Sequence, residues 1–170
     1  AETPDGEKMK IFIIGGSGTL GQELTRRLYH IAEKIVIFSR DEAKQAAMRE
    51  VFPEGPPGPM RYRIGDVRDG NRTIYAMRDC DTVIHAAAMK RIDTCESEVY
   101  ECLKTNIEGT ANVAQSCNAL GIKNATFIST DKACDPISAY GCAKAFVEHL
   151  WIQSNNYGSC RFNALRYGNV

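Results

Sequence analysis

The sequence lacks the features that mark membrane proteins and nucleic-acid-binding proteins. No apolar run approaches the roughly 18 residues that a membrane-spanning helix needs, and 21 basic side chains balance 21 acidic ones. A balanced charge gives no electrostatic attraction to nucleic acid or to an anionic membrane surface. We therefore expect neither nucleic acid nor a membrane as a partner.

Paired cysteines are also missing. The seven cysteines include no Cys-x-x-Cys motif, and their number is odd and their spacing irregular: Cys80, Cys95, Cys102, Cys117, Cys134, Cys142 and Cys160. Disulfide frameworks and zinc sites both require regular pairs. We expect free thiols in a reducing, cytoplasmic compartment and no metal site.

What is present suits one globular domain. The chain has 170 residues, of which 44% are apolar and 25% charged, and this is enough to bury a sizeable core. The first residues, AETPDGEK, are polar and do not resemble a signal peptide. We expect residues 1–8 to form a flexible tail and residues 9–170 to form a dinucleotide-binding domain.

Short apolar stretches alternate with helical ones along the whole chain. Strands are predicted over residues 10–14, 34–38, 61–64, 82–85, 125–129 and 161–166. Two of the intervening segments, 96–120 and 137–154, are predicted to be long helices. This alternation is typical of an α/β fold with a doubly wound, Rossmann-like parallel sheet of about six strands. Ligands of such folds bind at the carboxyl ends of the strands.

A glycine-rich segment, GGSGTLG at 15–21, lies between the first strand and the first helix. In this context Gly15 allows a tight turn, Gly18 allows the backbone to approach a pyrophosphate, and Gly21 allows the helix to pack closely on the strand. The alternative is an ordinary glycine-rich turn, since the spacing is GxxGxxG. Our cofactor-binding candidates here are Gly15, Ser17, Gly18, Thr19 and Leu20.

The ends of the next two predicted strands supply candidates for the adenosine half of a dinucleotide. Ser39 and Arg40 stand where an acidic residue would read the 2′-hydroxyl of NAD, and an arginine suits the 2′-phosphate, so we favour NADP over NAD. Arg40 is alternatively a surface charge or a capping residue. Asp66, followed by Val67, is placed to accept from the adenine amino group, or serves as a helix cap or turn residue.

Further candidates follow the fourth strand. The small side chains of Ala86, Ala87 and Ala88 allow the backbone to pass close to a flat cofactor. Asn106 falls inside a predicted helix, where asparagine is unfavourable. We therefore expect a buried polar role at the cofactor site or, equally, a solvated side chain. His85 is expected to pack structurally.

The stretch STDKACDPISAYGCAK (129–144) carries the acid–base chemistry. Tyr140 and Lys144 are four residues apart and share a helix face, so the ammonium is expected to lower the pKa of the phenol from about 10 and make it a general base. Asp131 and Lys132 form a second acid–base pair just beyond a strand end. The alternative for this second pair is a solvated turn.

These motifs resemble a known group of enzymes. GGSGTLG, HAAA and Tyr140-x-x-x-Lys144 resemble the extended short-chain dehydrogenase/reductase superfamily. SRDE, GDVRD, HAAAMKRID, KTNIEGT, STDKACDP, YGCAK and LRYGNV resemble, more narrowly, the UDP-N-acetylglucosamine 4,6-dehydratases of the polysaccharide biosynthesis protein family, from about residue 9 to residue 170.

The resemblance implies a role for each catalytic candidate. Tyr140 with Lys144 would accept the O4 proton of the sugar while hydride leaves C4 for NADP⁺, and Thr130 would hydrogen-bond near O4. Lys132 would remove the C5 proton, Asp131 would protonate the departing C6 hydroxyl, and hydride would return to C6. Lysine at position 132 implies inversion at C5.

The resemblance also implies binding residues and partners. Asn106, Tyr140, Lys144 and Tyr167 are expected at the cofactor, and Lys90, Thr130 and Asn169 at the UDP-sugar. Family members dimerise through the two long helices, which implies a homo-oligomer. They also continue beyond position 170, so we expect most of the C-terminal substrate domain to be absent here. A nucleotide-sugar 4-epimerase and a non-catalytic NADP-binding module are the alternative functions.

Overall fold

One six-stranded parallel sheet organises the residues that the structure, a computed structural model, describes (8–168). Its strands are β1 (Lys10–Ile14), β2 (Lys34–Ser39), β3 (Met60–Ile64), β4 (Thr82–His85), β5 (Asn124–Ile128) and β6 (Arg161–Leu165). They lie in the order β3-β2-β1-β4-β5-β6, and every neighbouring pair is parallel. The predicted doubly wound sheet is confirmed, and each predicted strand agrees within one residue at either end.

Helices cover both faces of this sheet. They are α1 (Thr19–Leu28), α2 (Glu42–Val51), α3 (Gly70–Met77), α4 (Ile92–Ser97), α5 (Val99–Cys102), α6 (Gly109–Leu120) and α7 (Ala139–Gln153). Leu24 of α1 and Met48 of α2 pack on one face. Val113 of α6 and Val147 of α7 pack on the other, together with α3. The sheet is therefore buried on both sides, as its nearly continuous apolar strands predict.

The central strand, β1, sends alternate side chains to the two cores. Ile11 and Ile13 join the core under α1 and α2, whereas Phe12 and Ile14 join the core under α6 and α7, and all four are at most 1% exposed. The strand order changes direction between β1 and β4. A crevice opens at the carboxyl ends of the strands at such a point.

The predicted helix over residues 96–120 is wrong as a single element. The backbone breaks at Glu98 (φ −120°, ψ 55°) between α4 and α5, and Leu103–Glu108 forms a π-helical segment before α6. Within that segment Asn106 turns its side chain to the backbone of Met89, and its carbonyl accepts the Thr110 hydroxyl at 2.6 Å. Contacts from elsewhere in the chain thus override the helical periodicity.

The helix that bears Tyr140 begins slightly later than predicted, at Ala139. Ser138 caps it, since its hydroxyl accepts from the Gly141 N–H at 3.1 Å. A 3-10 turn, Asp131–Ala133, lies between β5 and this helix, and a second, Ser154–Asn156, follows it.

Some sequence predictions concern residues 1–7 and Asn169, and these lie outside the described residues. All seven cysteines are described, and all are free thiols, as predicted. Between residues 8 and 168, no helix has the length and hydropathy needed to cross a bilayer. Over the same range, no cluster of three or more His, Cys, Asp or Glu side chains is arranged to hold a metal ion.

Candidate active site and cofactor cleft

A cleft of about 1340 Å³ runs along the carboxyl ends of the strands. The predicted site residues that line it are Gly15, Ser17, Gly18, Thr19, Leu20, Ser39, Arg40, Asp66, Val67, Ala86, Ala87, Ala88, Lys90, Thr130, Lys132, Tyr140 and Tyr167. Asp131, Lys144 and Asn106 do not line the cleft, but each hydrogen-bonds to a residue in its wall or next to one. Most candidates, predicted from separate parts of the chain, are therefore brought to one cleft.

The glycine segment forms one end of the cleft. Gly15 has φ +76°, and a Cβ added there would lie 2.8 Å from the Ala87 nitrogen, so a side chain fits neither the backbone nor the space. A Cβ on Gly21 would overlap the Gly16 carbonyl. Helix α1 has no side-chain cap at Gly18 and no acidic residue in its first turn. Its first N–H groups therefore suit a pyrophosphate.

The end of β2 carries polar side chains arranged for a ribose or its phosphate. The Ser39 hydroxyl accepts from the Ser17 hydroxyl at 2.9 Å and from Gln45 Nε2, also at 2.9 Å. Arg40 reaches Asp66 at 3.5 Å while its side chain remains 60% exposed. Lys44, in the first turn of α2, is a second cation in the wall.

Asp66 both lines the cleft and shapes its own turn. It accepts from the Arg68 N–H at 3.0 Å and from the Arg68 guanidinium at 2.7 and 2.9 Å. The cap of α3 is Asp69, whose side chain accepts from the Arg72 N–H. Of the two structural alternatives for Asp66, the turn residue is therefore correct and the helix cap is wrong.

The catalytic candidates gather at the end of β5. Thr130 Oγ1 donates to Asp131 Oδ1 at 2.9 Å, and Lys132 Nζ lies 3.3 Å from the same oxygen. These hydrogen bonds hold the pKa of Asp131 below its usual value. Thr130 also acts on Tyr140, whose pKa it lowers. One threonine thus acts on both the tyrosine and the Asp131–Lys132 pair.

The expected lowering of the Tyr140 pKa is wrong for this state of the protein. Burial raises the pKa of Tyr140 to about 12, with Tyr167 acting in the same direction and Thr130 opposing both. Burial also lowers the pKa of Lys144 to about 8. Both groups are desolvated, and desolvation favours the neutral form of each.

Lys144 is almost wholly enclosed, at 4% exposure. Its ammonium donates to the Ile128 carbonyl at 2.9 Å and lies 4.2 Å from the centre of the Phe127 ring. These contacts fix the side chain under the site, one helical turn beyond Tyr140. The predicted Tyr-x-x-x-Lys spacing therefore places both residues on the inner side of α7.

Asn106 is buried, as one of its two predicted alternatives required, but it acts at a distance from the cleft. Its side-chain oxygen accepts from the Met89 N–H at 2.8 Å, and its side-chain nitrogen donates to the Met89 carbonyl at 2.9 Å. It therefore holds the loop that follows β4, which includes Ala88 and Lys90. A direct contact between Asn106 and the cofactor stays a prediction.

His85 packs in the core, as predicted. It is fully buried against the Phe127 and Trp151 rings, at centroid distances of 5.5 and 5.9 Å. Its Nε2 lies 3.0 Å from the Thr110 hydroxyl. That hydroxyl already donates to the Asn106 carbonyl, so Nε2 carries the proton and donates. Burial lowers the pKa of His85 to about 3, which keeps the ring neutral.

Sequence reasoning missed five polar residues of the cleft wall: Glu23, Asp41, Lys44, Thr105 and Arg166. Lys44 had a detectable signal, because the first turn of a helix that follows the second strand faces the same crevice as the strand end. Thr105 had none, since its place in the wall depends on the π-helical segment.

Comparisons with known proteins agree with this geometry. A family described as polysaccharide biosynthesis protein matches residues 11–170. A Campylobacter jejuni protein named UDP-N-acetylglucosamine 4,6-dehydratase (inverting) is 46% identical over 168 residues, covering 96% of this chain and 49% of its own length. A Rickettsia bellii protein named UDP-glucose 4-epimerase is 39% identical over 168 residues, covering 94% of this chain and 48% of its own length.

Solved structures show the same fold. Pen from Bacillus thuringiensis superposes with a TM-score of 0.91 at 33% identity, covering 96% of this chain and 53% of its own. A UDP-glucose 4-epimerase from Brucella ovis in complex with NAD has a TM-score of 0.83 at 22% identity, covering 95% and 52%. The chain spans about half the length of the curated relatives it matches.

The family match covers nearly the whole chain, and its residues include the glycine segment, Thr130–Lys132 and the Tyr140–Lys144 pair. The chain therefore belongs to the polysaccharide biosynthesis protein family.

Proposed function

We propose that this chain is the cofactor-binding and catalytic half of a nucleotide-sugar 4,6-dehydratase acting on UDP-N-acetylglucosamine. The observation that carries the proposal is the Asp131–Lys132 pair, joined at 3.3 Å, with Thr130 bonded to Asp131 and with Thr130, Lys132 and Tyr140 in one cleft wall. Oxidation at C4 needs only the tyrosine, whereas loss of water across C5 and C6 also needs a base and an acid. The relatives named 4,6-dehydratases support the same choice.

The cleft suits a dinucleotide. The uncapped start of α1 and the side-chain-free surface at Gly15 fit a pyrophosphate. The turn at Asp66 and Val67 borders the space for the adenine, and the Ala86–Ala88 backbone borders the nicotinamide half. When bound, the nicotinamide cofactor supplies the acceptor and donor of hydride.

NADP is the proposed form of this cofactor. Arg40 and Lys44 place two cations in the wall beside Ser39, where they pair with Asp66 and Asp41, and cations suit a 2′-phosphate. The Brucella ovis epimerase binds NAD, so selectivity has to be tested on this chain. We expect Arg40→Gln to weaken NADPH binding about tenfold, the loss of one charge-assisted contact, and to leave NADH binding unchanged.

Proton movements follow from the side chains present. Tyr140 accepts the O4 proton, with the charged Lys144 beneath it favouring the phenolate. A proton passed from Lys132 to Asp131 leaves a neutral amine and a carboxylic acid; the amine then accepts the C5 proton, from the side that inverts this centre, and Asp131 donates its proton to the leaving C6 hydroxyl. Asp131 is a carboxylate in the state described here. Enclosure by the sugar raises the pKa of a carboxyl group, which favours the protonated form that this role requires.

The test is mass spectrometry of UDP-N-acetylglucosamine incubated with the chain and NADP⁺. We expect a product lighter by one water, and we expect Asp131→Asn and Lys132→Ala to abolish it. Asp93→Asn and Lys104→Ala are matched controls, because these exposed groups pair only with Arg91 and Glu101 in the contacts described, and both variants should retain activity.

Each alternative function has its own outcome in this experiment. Turnover that survives both Asp131→Asn and Lys132→Ala contradicts the dehydratase and favours a 4-epimerase, which needs Tyr140 and Lys144 alone. Tight cofactor binding with unchanged UDP-sugar at high protein concentration favours a non-catalytic module.

A homo-oligomer remains part of the proposal. Apolar side chains on the segments predicted to mediate it are exposed, among them Tyr100 at 80% and Phe146 at 57%. We expect analytical ultracentrifugation to show a dimer or larger species that Tyr100→Glu dissociates.

A further inference from the structure

A carboxylate that the proposed mechanism does not use lies beside the catalytic helix. Glu148 of α7 accepts a hydrogen bond from the Ser129 hydroxyl and three from Arg166: from Nε at 2.9 and 3.0 Å and from Nη2 at 2.5 Å. Its side chain is only 12% exposed. Ser129 follows β5 and Arg166 follows β6, so one side chain ties α7 to the ends of two strands.

These strand ends lead directly into the site. Ser129 precedes Thr130 and Asp131, and the Asp131 N–H donates to the Tyr167 carbonyl at 3.0 Å. Lys144, one turn before Glu148, donates to the carbonyl of Ile128. Consecutive residues of the β5 end are thus held by consecutive turns of α7.

Glu148 also acts on the charge of Lys144. Burial lowers the pKa of Lys144, and Glu148 is the largest influence that raises it. The other titratable groups that interact with this ammonium are the Cys102 thiol on α5, which acts in the same direction more weakly, and His85 on β4, while Tyr140 lies one turn earlier on α7. His85 is neutral, so it offers the ammonium no counter-charge. Although burial works against it, hydrogen bonding from Arg166 and Ser129 holds the pKa of Glu148 below its usual value.

We propose that Glu148 is a positioning residue of this site, which keeps the buried Lys144 charged and fixes the β5 end that carries Thr130, Asp131 and Lys132. The inference rests on the proposed function, because a charged Lys144 matters to the reaction only if Tyr140 is its base. Glu148 touches neither substrate nor cofactor space and acts through Lys144 and Ser129.

The test is Glu148→Gln, which preserves the shape of the side chain and removes its charge. NADPH affinity by calorimetry and UDP-sugar turnover are measured from pH 6 to 9.5. Both should fall as Lys144 loses its proton, and in the variant that fall should begin about one pH unit lower, as expected when an opposite charge is removed. Glu148→Asp should restore most of the shift.

Glu54→Gln is the matched control. Glu54 lies between two arginines, Arg49 at 3.4 Å and Arg63 at 3.6 Å, but it is exposed and lies beside the β3 edge of the sheet. In Glu54→Gln, the pH dependence of NADPH affinity and of turnover should match that of the wild type. A loss in Glu148→Gln that is equal at every pH indicates a purely structural salt bridge and overturns the proposal.

A second measurement keeps this inference separate from the proposed function. If the chain neither binds cofactor nor converts UDP-sugar, the proposed function fails, but urea unfolding still reports on the Lys144 charge. Glu148→Gln should move the alkaline rise in stability to lower pH in the wild-type background and not in a Lys144→Met background. Equal effects in both backgrounds contradict the coupling.

Discussion

Replacing Lys144 by methionine should change how the stability of the protein depends on pH. Burial lowers the pKa of Lys144 from 10.5 to about 8, so between these values the unfolded chain binds a proton that the folded chain has lost. Stability therefore rises with pH across this window. The full pKa difference corresponds to about 3 kcal/mol of unfolding free energy, at 1.36 kcal/mol per pKa unit. About 2 kcal/mol of this stability is regained between pH 7 and pH 9.5.

Methionine keeps the apolar stem and removes the proton-binding group. Lys144→Met should lack the recovery of about 2 kcal/mol, whatever its absolute stability. That absolute value also contains the loss of the hydrogen bond to the Ile128 carbonyl, worth about 1 kcal/mol or more when the acceptor is left unpaired. The informative quantity is therefore the difference between wild type and variant as a function of pH.

Urea unfolding followed by tryptophan fluorescence measures this difference. Trp151 is the only tryptophan of the chain and is fully buried, so its emission reports directly on the core beneath α7. Groups such as Cys80, whose pKa burial raises to about 11, lower the stability of both proteins at alkaline pH, and their contribution cancels in the difference. Two curves that stay parallel from pH 7 to 9.5 would refute the depressed pKa of Lys144.

Two further changes test the cleft and the core. Gly15→Ala should destabilise the protein by about 1–3 kcal/mol and weaken NADPH binding at least tenfold, because Gly15 has φ +76° and its Cβ would meet the Ala87 backbone. Gly121→Ala, with φ +65° but nothing within 4 Å, should lose less stability and bind NADPH normally; equal losses would contradict the steric reason. His85→Phe should remove an acid-sensitive step: the folded pKa of about 3 lies below the unfolded value, so wild-type stability falls as pH drops below 6.5, by about 2.5 kcal/mol between pH 7 and 4.5. Urea unfolding at pH 7 and pH 4.5 measures this loss of stability in both proteins. If the variant loses as much stability as the wild type, the step belongs to another group.

The strands and the cleft were predictable because local patterns decide them. Each strand is a short apolar run next to a polar or glycine-rich break, and parallel strands bring such breaks to one edge. Residues as distant in sequence as Gly15, Asp66 and Thr130 can therefore be predicted to lie at one edge of the sheet without any knowledge of their contacts. The agreement of the strand bounds within one residue reflects this.

The break in the helix over 96–120 was not predictable from local patterns. Its π-helical segment contains Asn106, whose amide binds the backbone of Met89, 17 residues earlier. The sequence showed only that asparagine is unfavourable at that position. Glu148 was missed for a related reason, since a Lys-x-x-x-Glu pair on a helix usually lies on a solvated face, and only the packed ends of β5 and β6 enclose this one.

The pKa values of Tyr140 and Lys144 show why spacing alone predicts the wrong direction. A tyrosine four residues before a lysine suggests mutual stabilisation of phenolate and ammonium, but that attraction must exceed the cost of burying both charges. At 8% and 4% exposure, burial prevails in both shifts: it raises the pKa of Tyr140 to about 12 and lowers that of Lys144 to about 8, so the lysine keeps its charge only below that pH. Glu148 opposes this for Lys144. The charge state of the pair therefore depends on a third residue, which makes Glu148→Gln the change most informative about how the site keeps its base ready.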